Sequence, residues 1–249
     1  MMPKGKVRLD KWLVTSSLAA TRERARALIL EGRIEVAGRP MDKPGTWIRV
    51  DDPVRLIEPD HPYVSRGGVK LEGAVKAFGI QPKGKMAMDV GASTGGFTHF
   101  LLLNGAREVY AIDVGYGQFA WSLRQDPRVK LFERTNIRYL DRRSISKAID
   151  LVVVDVSFIS LKTVIPCLLP FMAKKAEMVC LIKPQFEVGK GNVGKGGVVK
   201  DPEKIAEVLK SMESYACEKG FNVEGIEASV LKGPKGNQEY FIYLTRHLI

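Results

Sequence analysis

The sequence predicts a doubly wound α/β domain with a mostly parallel sheet, preceded by a small α+β module. Three features carry that expectation. From Met86 onward, short apolar strand-like runs alternate with helix-like segments. The first of those runs ends in a glycine-rich loop that opens a helix, the arrangement of a nucleotide-binding strand–loop–helix. Residues 7–57 break the alternation and read as helix, helix, hairpin and further short strands.

In the N-terminal module, Leu9, Trp12 and Leu13 form one apolar stripe, so residues 7–30 read as two short helices. Thr21 is placed to cap the second, Ala25, Leu28 and Ile29 form its inner face, and Gly32 ends it. Its other face carries Arg22, Arg24 and Arg26. An arginine run on a helix is ordinarily a solvated face, and it is also what a phosphate backbone binds. Ile34 and Val36 then alternate with polar neighbours before a turn at Gly38, and further apolar runs bracket Asp51 and Asp52. The stretch PDHPYV, residues 59–64, has two prolines and little periodicity and reads as a linker. That division gives a module over 1–58, a linker over 59–64 and a larger domain over 65–249.

Ser65 can cap a helix running to Phe78, with Leu71, Ala74, Val75 and Phe78 inward and Lys70 near its start. MAMDV and VYAIDV follow as strands, then a helix-like segment over Gln118–Gln125. VKLFE, LVVVDV and MVCLI read as further buried strands, and EYFIYL as the last.

Composition narrows the function classes. A chain of 249 residues with 45% hydrophobic and 27% charged residues is globular rather than disordered. Its formal net charge of +11 points to an acidic partner, nucleic acid or an anionic surface. Cys167, Cys180 and Cys217 form no CxxC pair, and only His61, His99 and His247 are available, so neither a disulfide framework nor a histidine metal centre is expected. No run approaches the roughly 18 apolar residues of a membrane span, and the basic start lacks the apolar core of a signal peptide. The expectation is a soluble, cytoplasmic protein without stable membrane insertion; its oligomeric state is left open.

The loop Asp89-Val-Gly-Ala-Ser-Thr-Gly-Gly-Phe-Thr98 has GxxxGG spacing rather than the GxGxxG of dinucleotide enzymes. Gly91 allows a tight turn, Gly95 lets backbone approach a ligand, and Asp113 ends the next strand where it can accept from ribose hydroxyls. Gly189–Lys195 also fits the start of a phosphate loop, but Gly196 stands where that motif needs a magnesium-binding hydroxyl; a basic flap is the better reading. Lys183 closes the strand MVCLI, where low-dielectric walls and cationic neighbours could let a lysine lose its proton and act as a base, whereas a nearby carboxylate would keep it charged. Lys70, Asp155 and Glu239 occupy comparable places, on a helix start and at strand ends. Singly, each is an ordinary ion-paired residue.

Together these motifs resemble known families. RLDKWLVTSSLAATRERARALILEGRIEVAGRPM resembles the S4 RNA-binding domain, which implies that Arg22, Arg24, Arg26, Lys11 and Arg33 contact phosphates. DVGASTGGFT with AIDVG resembles the donor motifs of S-adenosylmethionine-dependent methyltransferases. Lys70, Asp155, Lys183 and Glu239 resemble the Lys-Asp-Lys-Glu tetrad of FtsJ-type RNA 2′-O-methyltransferases. With SRGGVKLEGA, DVSFISL, IKPQFEVGKG and GGVVKDP in order, nearly the whole chain is similar to the TlyA, or hemolysin-like, rRNA methyltransferase family.

The resemblance implies a Rossmann-like methyltransferase with a mostly parallel seven-stranded sheet behind an S4-like domain. It implies S-adenosylmethionine held by Asp89, Gly91, Ser93, Thr94, Gly95, Asp113 and Asn136, no metal, and methylation of a cytidine ribose in ribosomal RNA or ribosomal subunits. Lys183 would assist deprotonation, Asp155 and Lys70 would orient and tune it, and Glu239 would place the ribose. The segment HPYV carries Tyr63 where some relatives carry tryptophan. A non-catalytic ribosome assembly factor and a membrane-active hemolysin stay open as other classes.

Overall fold

The computed structural model describes residues 5–30, 32–57, 61–189, 191–233 and 235–247. The chain forms two compact units, Met1–Arg66 and Gly67–Ile249.

In the first unit, β1 (Lys6–Arg8) leads into α1 (Leu9–Thr15) and α2 (Arg22–Leu30). These are followed by β2 (Ile34–Val36), β3 (Arg39–Met41), β4 (Trp47–Arg49) and β5 (Val54–Leu56). The region predicted as two helices therefore begins with a strand: Lys6–Arg8 pairs antiparallel with Trp47–Arg49, a long-range ladder that local periodicity does not announce. Leu9, Leu13, Ala25, Leu28, Ile29, Ile34 and Ile48 make the core. Thr21 caps α2 as expected, its Oγ1 accepting from Arg24 N at 3.1 Å. At the β2–β3 turn, Ala37 and Gly38 have φ of 48° and 78°, the paired left-handed residues that a two-residue hairpin requires.

The second unit begins within α3 (Arg66–Phe78) and continues with β6 (Met86–Val90), α4 (Gly96–Leu103), β7 (Glu108–Ile112), α5 (Trp121–Arg124) and β8 (Val129–Phe132). It continues with β9 (Ile149–Val154), α6 (Leu161–Leu168), β10 (Met172–Ile182), α7 (Pro184–Glu187), α8 (Pro202–Glu218), β11 (Asn222–Ala228) and β12 (Tyr240–His247). Seven strands form one sheet in the order β11-β12-β10-β9-β6-β7-β8, and only β12 runs against its neighbours β10 and β11. Strands β6, β9 and the end of β10 are buried on both faces, which is why MAMDV, LVVVDV and MVCLI read as continuous apolar runs. Each fully buried aliphatic side chain there contributes about 1.5–3 kcal/mol.

Two expectations need correcting. The helix predicted over Gln118–Gln125 is only the four residues Trp121–Arg124, because the segment before it wraps around Asp113 instead of coiling. VKLFE is not a fully buried strand: β8 is the sheet's edge, with Lys130 outward.

The topology fixes where a ligand belongs. From β6 the chain builds one way through β7 and β8, then returns to β9 and builds the other way through β10. The carboxyl ends of β6 and β9 therefore flank the switch point of the sheet, the crevice where open α/β sheets bind ligands.

Candidate active site

The loop after β6 lies at this crevice. Gly91 has φ of 85°, and a side chain there would collide with the Asp155 carbonyl at the end of β9. The requirement for glycine at Gly95 has a different origin from the one expected: Leu123 and Phe119 occupy the space beside it, so protein packing sets it. Ser93 is held with φ of 49°, its amide donating to Asp113 Oδ2 at 2.7 Å. Asp113 Oδ1 accepts from Gly115 N at 2.6 Å and from Gln118 Nε2 at 3.0 Å. The carboxylate is thus well occupied, yet with about four lone-pair directions it keeps room for a hydroxyl, and Gln118 is exposed and displaceable. Asn136 Oδ1 accepts from Arg138 N at 3.0 Å, capping the short turn after β8.

Asp89 is the most informative group in the loop region. It is fully buried in β6, and its Oδ2 accepts from Thr98 N at 2.9 Å and Thr98 Oγ1 at 2.7 Å, which pins the start of α4 to the strand. Its Oδ1 is buried with no hydrogen-bond partner. Burial pushes this carboxyl up to about 7, against the pull of the Thr98 hydrogen bond and with added repulsion from Asp155. A buried, unpartnered carboxylate oxygen beside a glycine loop fits a ligand that brings a positive charge.

Both halves of the predicted tetrad form ion pairs. Lys70 of α3 donates to Glu239 Oε2 at 2.6 Å, and the two side chains are 10% and 1% exposed. A side chain at Gly233 would collide with Glu239 Oε1, so the turn before β12 packs tightly on that carboxylate. Lys183 Nζ lies 2.6 Å from Asp155 Oδ1, off the line that a hydrogen bond needs, and donates to Ser157 Oγ at 2.8 Å. Ile182 pairs with Tyr240 across β10 and β12, which sets Lys183 and Glu239 at neighbouring strand ends; Cys180 pairs with Val154, which brings Asp155 to the same edge. The four groups thus lie at the carboxyl edge of the parallel strands, as two pairs.

In the first unit the predicted basic residues divide. Lys11 and Arg26 are exposed. Arg22 donates to the buried Asp10 at 3.1 and 3.0 Å, and Arg8 donates to the same carboxylate at 3.0 and 2.9 Å. The Arg8 hydrogen bond is the main influence holding the Asp10 carboxyl down to about 2. Arg24 donates to the Tyr63 carbonyl at 2.8 Å and to the His61 carbonyl at 3.3 Å. Arg33, expected to contact phosphate, is buried in this structure at 2% exposure.

Sequence reasoning did not single out two groups. Phe158 is 90% exposed with φ of 65°, its ring 5.1 Å from that of Phe186, and the two rings lie shortly after Asp155 and Lys183 in the two segments of the site. An exposed aromatic in a left-handed conformation beside reactive groups is the signal, and it needs coordinates to be seen. Asn237 is the other: buried, it accepts from Val199 N at 2.9 Å and donates to the Gly197 carbonyl at 2.9 Å, anchoring the glycine–lysine loop to the segment that delivers Glu239. Among its described residues that loop forms a short turn at Lys195–Gly197 and no phosphate-loop helix. A cavity of about 220 Å³ beside α8, lined by Lys162, Glu187, Asn192, Lys204 and Ser211, contains none of the predicted site residues, so the convergence of charged groups at the sheet's switch point is the better guide to the chemistry.

Comparison with known proteins decides the family. The FtsJ-like methyltransferase model matches residues 63–246. The chain belongs to the FtsJ-like methyltransferase family. The S4 domain model matches residues 7–54, giving the enzyme an S4 domain at its N-terminus. The chain is 48% identical over 240 residues to the 16S/23S rRNA (cytidine-2′-O)-methyltransferase TlyA of Mycobacterium tuberculosis, covering 96% of this chain and 90% of that one. A solved structure carrying the hemolysin name, from Streptococcus thermophilus, matches with 37% identity and a TM-score of 0.77 over 98% of this chain and 90% of that one. At 12% identity and a TM-score of 0.52, the S-adenosylmethionine-dependent methyltransferase of Mesorhizobium loti shares the fold, over 70% of this chain and 96% of its own. Among the described residues no helix is long and apolar enough to cross a membrane.

Proposed function

We propose that the protein is an S-adenosylmethionine-dependent ribosomal RNA 2′-O-methyltransferase acting on a cytidine ribose. The observation that carries the chemistry is Lys183, whose Nζ lies between Asp155 and Ser157 at the switch point of a methyltransferase sheet. The similarity to a cytidine-2′-O-methyltransferase over nearly the full chain supports the substrate. In this reading residues 1–58 dock RNA, 59–64 link, and 65–249 catalyse.

When bound, the donor supplies a methyl group on a sulfonium whose sulfur is the leaving atom. Asp89, Gly91, Ser93, Thr94 and Gly95 would hold its amino-acid end, Asp113 its ribose and Asn136 its adenine; the unpartnered Asp89 Oδ1 suits an ammonium. Lys183 acts on the target. In its ion-paired form Nζ has no lone pair, so one proton leaves for solvent before the amine can accept another. Neutral Nζ would then accept the proton of the ribose O2′–H, and the freed oxygen would take the methyl group that the bound donor supplies, its sulfur leaving with the bonding electron pair. Asp155 steadies the ammonium that results, and the Lys70–Glu239 pair holds the neighbouring wall. Phe158 offers an exposed ring on which an unstacked base can lie. In the S4 domain Arg26 and Lys11 are exposed cations for phosphate, while Arg22, also exposed, is tied to Asp10 and Arg24 to the Tyr63 carbonyl, so these two act mainly by shaping that surface.

The test is incubation of the protein with methyl-labelled S-adenosylmethionine and separated ribosomal subunits, followed by digestion to nucleosides. Label on the ribose of cytidine is expected. Label on a base alone, or RNA binding without label, would reject the reading; the second outcome would leave an assembly factor. Liposome leakage by a Lys183→Ala variant would instead support a membrane activity.

A further inference from the structure

We infer that Ser157 is the residue that aims Lys183: its hydroxyl fixes the direction in which Nζ faces the target oxygen. The inference rests on the methyl-transfer reading and adds to it a group that the tetrad does not contain.

A lysine ammonium sits on a flexible four-carbon stem and by itself has no set direction. Asp155 does not provide one, since its Oδ1 is close to Nζ, at 2.6 Å, but poorly aligned. That contact stabilises charge. The 2.8 Å hydrogen bond from Nζ to Ser157 Oγ is aligned, and hydrogen bonds are directional where charge contacts are not. With one N–H committed to Ser157 and the Asp155 carboxylate on a second side, one tetrahedral position of Nζ remains for a ligand. In the neutral amine that position is the lone pair.

Ser157 can serve as a reference point because its loop is fastened to the loop that carries Lys183. Ser160 Oγ donates to Glu187 Oε2 at 2.6 Å, and Leu161 N donates to Glu187 Oε1 at 2.8 Å. The Phe158 and Phe186 rings meet at 5.1 Å between these contacts and the Lys183–Ser157 bond. Glu187 and Phe186 belong to α7, the turn that directly follows Lys183. Base and serine are thus held by two segments joined at three successive places, and fixing a reactive group through such support sustains its alignment. Burial raises the Glu187 carboxyl above its ordinary value, while the Ser160 hydrogen bond opposes it.

Ser157 is exposed, so its removal leaves the core intact. Steady-state and single-turnover methylation would be measured for the wild-type protein, Ser157→Ala and Ser157→Thr, with S-adenosylmethionine and ribosomal subunits. Loss of alignment alone should lower kcat by about 10- to 100-fold in Ser157→Ala, with the KM for subunits and the donor Kd within about twofold of wild type. Ser157→Thr, which keeps the hydroxyl, should return kcat to within about threefold. Unchanged kcat in Ser157→Ala overturns the inference. So does a loss confined to KM or donor affinity, which would make Ser157 a contact for RNA or donor, and so does a threonine variant no better than alanine. Failure of the wild-type protein to methylate ribose would instead remove the underlying reading, and retained donor binding by Ser157→Ala separates lost alignment from lost fold.

Discussion

The two units spend their positive side chains differently. In the S4 domain, Arg8 and Arg22 converge on the buried Asp10, Arg24 holds the carbonyls of His61 and Tyr63, and Arg33 is buried. In the methyltransferase unit, Lys70 and Lys183 stand at the edge of a sheet whose strands are packed with valine, leucine, isoleucine and methionine. A module of about 60 residues buries too little apolar surface to be secure and gains from ionic and polar cross-links. The larger unit has its core supplied by the sheet, so charged groups at strand ends can serve chemistry. The same residue type therefore carries opposite meaning in the two regions. The largest difference should appear on removing one cation from each.

Lys183→Ala should reduce kcat by about 10²- to 10⁴-fold, the range that a proton-transferring side chain contributes. Donor binding, RNA binding and the urea midpoint should stay near wild type, because Asp155 is left partly exposed, at 22%. Its counterpart in the second ion pair behaves otherwise: Glu239→Ala strands Lys70 in a buried site, so unfolding should become easier by about 3–5 kcal/mol. Methylation at the wild-type rate by a folded Lys183→Ala protein would dismiss the proposed base. A Glu239→Ala protein as stable as wild type would show that the pair is not buried as described.

In the S4 domain the order reverses. Arg22→Ala and Asp10→Ala should destabilise that unit by about 1–3 kcal/mol, the lower range applying because both arginines are partly exposed. Arg26→Ala should leave stability alone and weaken RNA binding, with a shallower dependence on salt. Asp10 also sets a pH window. Its folded carboxyl is depressed to about 2, below its ordinary range, so its stabilisation is present above about pH 4 and is lost as pH falls through about 2. Urea titrations of the variants, with RNA affinity at two salt concentrations, separate the two kinds of arginine; loss of RNA affinity by Arg22→Ala without loss of stability would erase the distinction.

Much of this was legible in the sequence because it depends on local pattern. The apolar runs ending at Val90, Val154 and Ile182, the GxxxGG spacing and the left-handed turn at Gly38 each follow from short-range rules, and all appear where expected. What escaped depends on contacts made far along the chain. Arg22 and Arg26 sit on the same helix and read alike; only Asp10, twelve residues before Arg22, distinguishes them. The pairing of Lys6–Arg8 with Trp47–Arg49 is likewise set by a distant partner. Gln118–Gln125 had helical composition, but the attraction of Gly115 N and Gln118 Nε2 to the Asp113 carboxylate competes locally with coiling. Ser157 and Phe158 lay inside a quoted motif, yet nothing in DVSFISL states that the serine faces Lys183 or that the phenylalanine points outward.

A pH-dependent prediction concerns Asp89, the charged group of the large unit that most resembles Asp10 in burial and differs most from it in surroundings. Two arginines hold Asp10 ionised; among the described residues no cation pairs with Asp89, and burial raises it to about 7. An ammonium on the donor pairs with the carboxylate and not with the neutral acid. Donor affinity should therefore strengthen as pH rises through about 7 and level off above it, changing by up to about tenfold per pH unit on the acidic side. Without donor the stability effect has the opposite sign. A carboxyl whose folded value is raised contributes stability below its unfolded value, near 4, and loses it as pH climbs through about 7, so the free protein should be harder to unfold at pH 5 than at pH 8 on account of this group. Asp89→Asn should abolish both slopes and fix donor affinity near its low-pH limit. Calorimetric titration with S-adenosylmethionine at pH 6, 7 and 8, paired with melts of the free protein, reads both signs at once. A donor affinity independent of pH in the wild-type protein would mean that the unpartnered oxygen of Asp89 does not receive the donor's positive end, and that the glycine loop holds it by backbone contacts alone.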